Sequence, residues 1–162
     1  MANRKPITIA KAASDFVREP LISPFGFKGG YLTGTWQAVA YLESAAGGIG
    51  LGLGTQSTLW SDAGVFTAHG EAAGNALMYL VLDHALGLVR GRSFRHPVEL
   101  LDEVLPEVVR YARHITERPD LRLTFALNAL IALDNAVWML YGRENGCRTF
   151  DDLAGPEYRP AL

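Results

Sequence analysis

The sequence has little cysteine, little net charge and few long hydrophobic runs. Its 162 residues include a single cysteine, Cys147, which excludes an intrachain disulfide framework and a metal site built from several cysteines. A reducing, cytoplasmic location is therefore expected. Fifteen basic and 17 acidic residues give a formal net charge of −2, so there is no electrostatic basis for binding nucleic acid or an anionic membrane.

Neither a signal peptide nor a membrane span is expected from the hydropathy pattern. Arg4 and Lys5 are not followed by an apolar core, because Lys11, Asp15 and Arg18 interrupt it. The apolar run that begins at Leu123 is interrupted by Asp134, short of the roughly 20 apolar residues that a transmembrane helix needs.

The first seventy residues are rich in glycine, threonine and aromatic side chains, and their patterns are extended. Alternation predicts strands over residues 7–17, 35–43 and 49–53, the last two joined by a turn at 44–48. The glycines of the third strand do not match a dinucleotide-binding motif, because Leu53 stands where the third glycine is required.

Two loops are expected to separate these strands from each other and from the rest of the chain. Prolines and glycines indicate irregular structure over residues 18–30. We name residues 21–33 loop one and residues 55–70, directly after the third strand, loop two.

The remainder of the chain is predicted to be helical. From Glu71 apolar residues recur at helical spacing, Pro97 opens a second helical region, and Pro106 is expected to divide that region. Asp120 is a suitable N-cap for the last and strongest helix. The predicted fold class is α+β, with a three-stranded antiparallel meander sheet followed by a bundle of three to four helices.

One segment carries a resemblance to a known family. Residues 128–146 contain Ala-Leu-Asp, then Ala-Val-Trp-Met-Leu, then Gly-Arg before a glycine turn, and residues 150–155 read Phe-Asp-Asp-Leu-Ala-Gly. This pattern resembles the last cap helix and the short helix after it in the N-terminal capping domain of the enolase superfamily, in its mandelate racemase and muconate-lactonising branch. The resemblance implies a cap over residues 1–155 and the start of a linker at 156–162. It departs at Thr55, where the family often has an acidic residue.

The resemblance also implies a reaction for the parent enzyme. Members abstract a proton next to a carboxylate with the help of Mg²⁺, as racemases, dehydratases or cycloisomerases. The metal ligands and the acid/base residues lie on a barrel that takes roughly 200 residues or more. None can be placed in this sequence, where Lys5, Lys11 and Lys28 form no Lys-x-Lys pair. No catalytic residue and no metal or other cofactor is therefore expected in this chain, which alone should be inactive.

The same resemblance implies the partners. They are a barrel domain, missing or supplied in trans, and a small carboxylate substrate. A surface made to pack on a barrel would be apolar, so self-association into a homo-oligomer is also expected.

In the family, the loops of the cap close over the mouth of the barrel and contact the distal part of the substrate. By position, this makes Phe25, Lys28 and Tyr31 of loop one and Trp60 and His69 of loop two the candidate substrate contacts. Each has a plainer interpretation, since a loop lysine is usually solvated and aromatic residues often anchor a loop on its own domain. Two alternatives stay open for the whole chain: a stand-alone module that binds a small molecule or a protein, and a small enzyme that uses His69 or Lys28. The second is the weaker, because no acid/base pair is visible.

Overall fold

The computed structural model describes residues 4–27 and 30–153, and these form a sheet covered on one face by helices. Four antiparallel strands lie in the order β3-β2-β1-β4. They are β1 (Ile7–Phe27), β2 (Gly30–Ser44), β3 (Ile49–Gln56) and β4 (Ser93–Phe94). The helices are α1 (Thr58–Ser61), α2 (Ala63–Val89), α3 (Pro97–Ile115), α4 (Leu123–Glu144) and α5 (Phe150–Leu153).

The α+β class is confirmed, but the prediction of a three-stranded meander was incomplete. The meander of β1, β2 and β3 is present, and the two-residue strand β4 adds a fourth strand beside Ile7 and Thr8. So short a strand has no periodicity to recognise. The helices number five rather than three to four in the described residues, because α1 and α5 are single turns.

Within the predicted irregular segment, the described residues 18–27 and Gly30 instead belong to a long β-hairpin. Strand β1 runs ten residues past its predicted end, and Phe25 pairs with Leu32 across the hairpin. A register shift lies between Pro20 and Phe25. Strand β1 has no strand partner on its other side there among the described residues. The prolines are therefore tolerated, because proline cannot donate a ladder hydrogen bond but fits an edge or a bulge.

Loop two was also predicted wrongly, because most of it is helical. Helix α1 begins at Thr58, and α2 begins at Ala63 after the N-cap Asp62. Within α2, Gly70 has φ 74° and ψ −178°, so the helix is broken there. Glycine adopts that conformation at little cost. The helical period predicted from Glu71 is therefore the second part of a kinked helix.

Two other local predictions need correction. Helix α3 continues through Pro106, because Leu100, Val104 and Val108 are buried on both sides of the proline and hold the two turns together. The N-cap of α4 is Arg122 and not Asp120. The carboxylate of Asp120 instead accepts a hydrogen bond from Arg118 at 2.9 Å.

The alternating glycines of β3 allow helix α4 to lie directly on the sheet. A Cβ atom at Gly52 would lie 2.0 Å from the carbonyl oxygen of Ala132, and one at Gly50 would lie 2.2 Å from that of Ala136. Such approaches are far inside van der Waals contact. This packing explains why glycines alternate along β3, a pattern that does not match a dinucleotide-binding motif.

Helices α2 and α4 are long and apolar enough to cross a membrane by length and composition alone. This finding differs from the expectation that the apolar run beginning at Leu123 is too short to cross a membrane. About half of the apolar window of each helix, 44% in α2 and 50% in α4, is buried inside the domain. Their hydrophobicity is accounted for by the core that they form with the sheet.

Candidate functional site

The far end of the β1–β2 hairpin is fastened to α2 by Glu71, the residue that directly follows the break of that helix at Gly70. The carboxylate of Glu71 accepts hydrogen bonds from the backbone N–H and the Oγ of Thr33, both at 2.9 Å, and from the backbone N–H of Gly34 at 3.1 Å. Three donors on one carboxylate form a set of charge-assisted bonds. The hairpin arm is thereby held against the helices.

Apolar contacts reinforce this junction. The ring of Phe66 lies so close to Gly30 that a Cβ atom there would be 2.6 Å from the ring and 3.4 Å from a methyl group of Leu59. Glycine at the first position of β2 therefore lets the ring pack on the backbone. The segments predicted as loops one and two are thus in contact, although each has regular structure.

The segment around α1 is in turn anchored to helix α4. The side-chain oxygen of Asn128 accepts hydrogen bonds from the backbone N–H of Ser57 at 3.0 Å and from the Oγ of Ser61 at 2.9 Å. The amide nitrogen of Asn128 donates to the carbonyl of Thr55 at 3.0 Å. One side chain therefore ties the end of β3 and helix α1 to α4.

Asp62 forms a second anchor in the same place. Its carboxylate accepts from the backbone N–H groups of Gly64 and Val65 at 2.9 and 3.1 Å and from that of Arg122 at 3.0 Å. Burial alone would raise the pKa of Asp62, but these hydrogen bonds and the nearby Arg118 charge outweigh burial and lower the pKa. The carboxylate is therefore ionised at neutral pH and joins the starts of α2 and α4.

These anchors surround a half-open groove of about 530 Å³ between β2, α1 and α4. The apolar residues that line it are Leu32, Trp60, Leu127 and Ile131. The polar residues that line it include Thr35, Thr55, Ser57, Ser61, Thr124 and Asn128. No charged side chain lines it among the described residues, so the groove suits an uncharged group with apolar surface and a few hydroxyls.

The structure brings together only some of the candidate substrate contacts. Trp60 lines the groove with 54% of its surface exposed. Phe25 and Tyr31 lie on the hairpin, Phe25 opposite Leu32 and Tyr31 opposite Gly26, and both are exposed. His69 is an exposed residue just before the break in α2. Lys28 lies outside the described residues.

Sequence reasoning missed most of the residues that shape the site. Glu71 was recognised only as the residue from which the helical period begins, whereas it binds the hairpin. Asn128 opened the family-like segment but was given no role. Asp134, noted in the sequence only as an interruption of the apolar run, is partly exposed and accepts a hydrogen bond from Trp138 one turn further on. Burial raises the pKa of Asp134, and this hydrogen bond opposes the shift.

The residues present do not fit a magnesium site. Over residues 4–27 and 30–153, no group of three or more histidine, cysteine, aspartate or glutamate side chains is placed to hold a metal ion. Mg²⁺ prefers several oxygen ligands in octahedral geometry. The described residues therefore offer Mg²⁺ no suitable set of ligands.

No family model matches the chain, and no curated protein matches it by sequence. Solved structures do match. L-talarate/galactarate dehydratase from Salmonella typhimurium LT2 is 16% identical, with a TM-score of 0.57, covering 90% of this chain and 33% of that one. A racemase from Streptomyces coelicolor A3(2) with bound magnesium is 20% identical, with a TM-score of 0.53, covering 83% and 32%.

A third match is the dipeptide epimerase from Enterococcus faecalis V583, complexed with Mg and L-Leu-L-Tyr. It is 16% identical, with a TM-score of 0.51, covering 85% of this chain and 32% of that one. The chain thus spans about a third of the length of the solved structures it matches. The chain therefore shares its fold with about a third of each of these enzymes, and the predicted resemblance is confirmed at the level of the fold.

Proposed function

We propose that this chain is the capping and specificity domain of an enzyme of the enolase type. The parent enzyme would abstract a proton next to a carboxylate of a small substrate with the help of Mg²⁺, as a racemase, dehydratase or cycloisomerase. The metal and the acid/base groups would belong to a barrel, in the same polypeptide or in trans. The contribution of this chain is to exclude water and to orient the distal part of the substrate.

The observation that carries this proposal is the junction of the hairpin with α1 and α2. The hairpin is fastened to α2 by Glu71 and by the ring of Phe66. A Cβ atom at Gly30 of the hairpin would also lie 3.4 Å from Leu59 of α1, the residue beside Trp60. Exposed aromatic residues extend from both the hairpin and α1. A rigid pair of segments that presents large apolar side chains is what a lid needs, because it covers a site without being ordered anew at each turnover.

The groove supports a specific role for Trp60. An aromatic ring on the wall of an uncharged groove packs against apolar or ring-bearing groups. The neighbouring hydroxyls of Thr35 and Thr55 suit a hydroxylated or amide-bearing chain. We assign Trp60, Phe25 and Tyr31 to contact with the part of the substrate that lies away from the carboxylate. Lys28 and His69 stay candidates for a charged group on the substrate.

The first experiment is to measure the mass of the native polypeptide in its source cells with an antibody raised against this chain. A band larger than 17.6 kDa by about 250 residues is expected, since that is the size of a barrel. The purified native polypeptide, or its complex, is then incubated with Mg²⁺ and a panel of hydroxy and amino acids in D₂O. Exchange of the α-proton, followed by NMR, is the expected activity.

A matched variant separates the role of the cap from that of the barrel. Trp60→Ala should change which acids exchange their α-proton, or raise the concentration of acid needed for exchange. It should not abolish exchange for every acid. If the native species has neither a barrel in its chain nor a barrel-containing partner, and no acid exchanges, the proposal is wrong.

A second candidate function is a stand-alone module that binds a small uncharged molecule. The groove of about 530 Å³ favours it, because a pocket of that size accommodates a drug-sized ligand. A native mass of 17.6 kDa, with ligand-induced shifts in the NMR signals of Trp60 and Asn128, would support this alternative over the cap.

A further inference from the structure

The side-chain amide of Asn128 lies in the wall of the groove and is held there by three hydrogen bonds. Its oxygen accepts from the backbone N–H of Ser57 at 3.0 Å and from the Oγ of Ser61 at 2.9 Å. Its nitrogen donates to the carbonyl oxygen of Thr55 at 3.0 Å. Because a backbone N–H only donates and a backbone carbonyl only accepts, these partners fix which end of the amide carries the oxygen. The amide therefore has one orientation.

One hydrogen-bond donor of this amide is left over. A side-chain amide nitrogen carries two N–H groups, and the carbonyl oxygen of Thr55 takes one of them. Within the two described ranges of the chain, no other oxygen accepts from this nitrogen. Asn128 lines the groove and is only partly buried. A ligand in the groove is therefore within reach of a donor that the domain itself does not use.

The hydroxyl groups of the groove are less suited to orient a ligand. A hydroxyl has a single hydrogen, and those of Thr55 and Ser61 are already donated within the domain, from Thr55 to Gln37 at 2.7 Å. The hydroxyls of Thr35 and Thr124 also line the groove, but a hydroxyl hydrogen rotates about its C–O bond. A donor whose direction is already fixed loses less conformational freedom when it binds.

The surroundings of this donor select against charge. Trp60, Leu127 and Ile131 line the groove, and no charged side chain of the described residues does so. An anionic group would lose part of its hydration there without meeting a cation, whereas a neutral carbonyl oxygen is satisfied by one N–H. An aromatic or other apolar group attached to that carbonyl would pack on Trp60, which is 54% exposed.

The same amide also holds the residue that forms the apolar wall. Helix α1 is a single turn of four residues, and its N-cap Ser57 makes no side-chain capping bond, so this turn is too short to be stable alone. Asn128 binds Ser57 and Ser61 at its two ends, and Trp60 lies between them. The free N–H and the indole ring are therefore kept in a fixed relation.

We propose that Asn128 is the residue by which the groove selects its ligand, because its second amide N–H donates to a neutral carbonyl oxygen attached to an apolar or aromatic group. This inference rests on the proposed function, since it names the kind of distal group that the groove takes from a substrate. It holds in the same form for a stand-alone module that binds an uncharged molecule.

Two probes of nearly the same shape test it on the 162-residue chain. Acetophenone has a carbonyl oxygen where α-methylstyrene has a CH₂ group, so only acetophenone accepts a hydrogen bond. Both are titrated against the labelled chain by NMR, and the Trp60 indole signal gives the two dissociation constants. In the wild type, acetophenone should move one of the two side-chain amide protons of Asn128 downfield, and α-methylstyrene should not.

Three variants, each checked for native circular dichroism, are compared by the ratio of the dissociation constant of α-methylstyrene to that of acetophenone. Asn128→Asp keeps an acceptor for Ser57 and Ser61 and removes both N–H groups, so the ratio should fall about fivefold. Asn135→Ala is the matched control, because Asn135 lies on the same helix and donates to Leu53 at 2.8 Å but does not line the groove. Ser57→Ala removes a buried hydroxyl that has no hydrogen-bond partner in the described structure. Neither of these two variants should change the ratio.

The ratio separates the donor from the support of α1, because a loosened α1 weakens both probes by the same factor. The inference is overturned if acetophenone causes no selective shift at Asn128 in the wild type, or if Asn128→Asp leaves the ratio unchanged. It is also overturned if Asn135→Ala or Ser57→Ala lowers the ratio as much as Asn128→Asp does. None of these results involves a barrel. A native mass of 17.6 kDa with no barrel-containing partner would remove the capping function and leave the role of Asn128 standing.

Discussion

Glu71 binds Thr33 through both of the hydrogen-bond donors that Thr33 offers. The carboxylate accepts from the Thr33 backbone N–H and from its Oγ, each at 2.9 Å. Glu71 comes directly after Gly70, whose φ of 74° breaks helix α2. The break and the contact occur together, so the second part of α2 starts at the residue that holds the hairpin.

Replacing Glu71 should loosen the hairpin arm. Glu71→Ala removes the acceptor of three hydrogen bonds, and the expected loss in the free energy of unfolding is about 1–2 kcal/mol because the site is partly solvated. The backbone amides of Thr33 and Gly34 should exchange with solvent deuterium much faster, as measured by NMR. Glu71→Gln keeps one acceptor oxygen and should fall between the wild type and Glu71→Ala. Unchanged exchange at both amides in Glu71→Ala would contradict this role.

Adding a single methyl group to β3 should displace helix α4. In Gly52→Ala the new Cβ would meet the Ala132 carbonyl oxygen at 2.0 Å and the Ala136 nitrogen at 2.3 Å. Both are backbone atoms, so no side chain can rotate away, and a loss of about 2–3 kcal/mol is expected. Gly87→Ala is the control, since nothing lies within 4 Å of its added methyl group. Inside a helix that change should stabilise by about 0.5–1 kcal/mol. Urea unfolding of both variants is the measurement.

The sequence predicted the elements whose pattern is local, and it missed the elements that depend on contacts between distant segments. The period of α4 and the alternation of β2 were recognised, because each is a local pattern set by one buried face. The extension of β1 through two prolines was missed, since an edge strand tolerates proline and only the pairing with β2 shows that the segment is extended. The helices in residues 58–69 were missed because glycine and polar residues mask a short helix that is held by Asp62 and Asn128.

Asp62 should make stability depend on pH. Its pKa is lowered in the folded protein, so the stabilisation is present above the ordinary pKa of about 4 and is lost as pH falls through the folded value. Asp62→Asn should cost about 1.5–3 kcal/mol at neutral pH, because a buried charged acceptor is replaced by a neutral one. The difference in the free energy of unfolding between Asp62→Asn and the wild type should become smaller at acid pH. Thermal unfolding at a series of pH values measures it, with Asp120→Asn, at an exposed pair, as the control. A difference that stays constant with pH would contradict the assignment.

Trp60 should affect substrate binding more than the chemical step. In the barrel-containing enzyme that we propose, Trp60→Ala should raise KM about tenfold through loss of aromatic contact and leave kcat within a few-fold. Trp60→Phe should recover most of the loss, since it keeps a ring on the groove wall. Met139→Ala, an exposed residue of α4 outside the groove, should have no effect. A fall in kcat with KM unchanged would instead place Trp60 in closure of the lid or in the reaction itself.

The candidate site was less predictable than the fold because it is made of contacts between distant segments. Trp60 was identified by position after the third strand, and it lines the groove. Leu127 and Asn128 lie in the strongest helical pattern of the chain, so they were interpreted as part of a core face. Their role depends on α1 packing beside them, and that packing depends on Asp62 and Ser57. The spacing of residues within α4 therefore could not predict that Leu127 and Asn128 line a groove.

The register shift in β1 separates two parts of one hairpin. Four residues lie between Pro20 and Phe25 on β1, whereas Thr33 alone lies between Gly34 and Leu32 on β2. The surplus residues, Ile22 among them, stand away from the ladder, and Ile22 is fully exposed. Because the surplus residues lie outside the ladder, an insertion or deletion among residues 21–24 is expected to leave the pairing of residues 11–20 and the core beneath it in place.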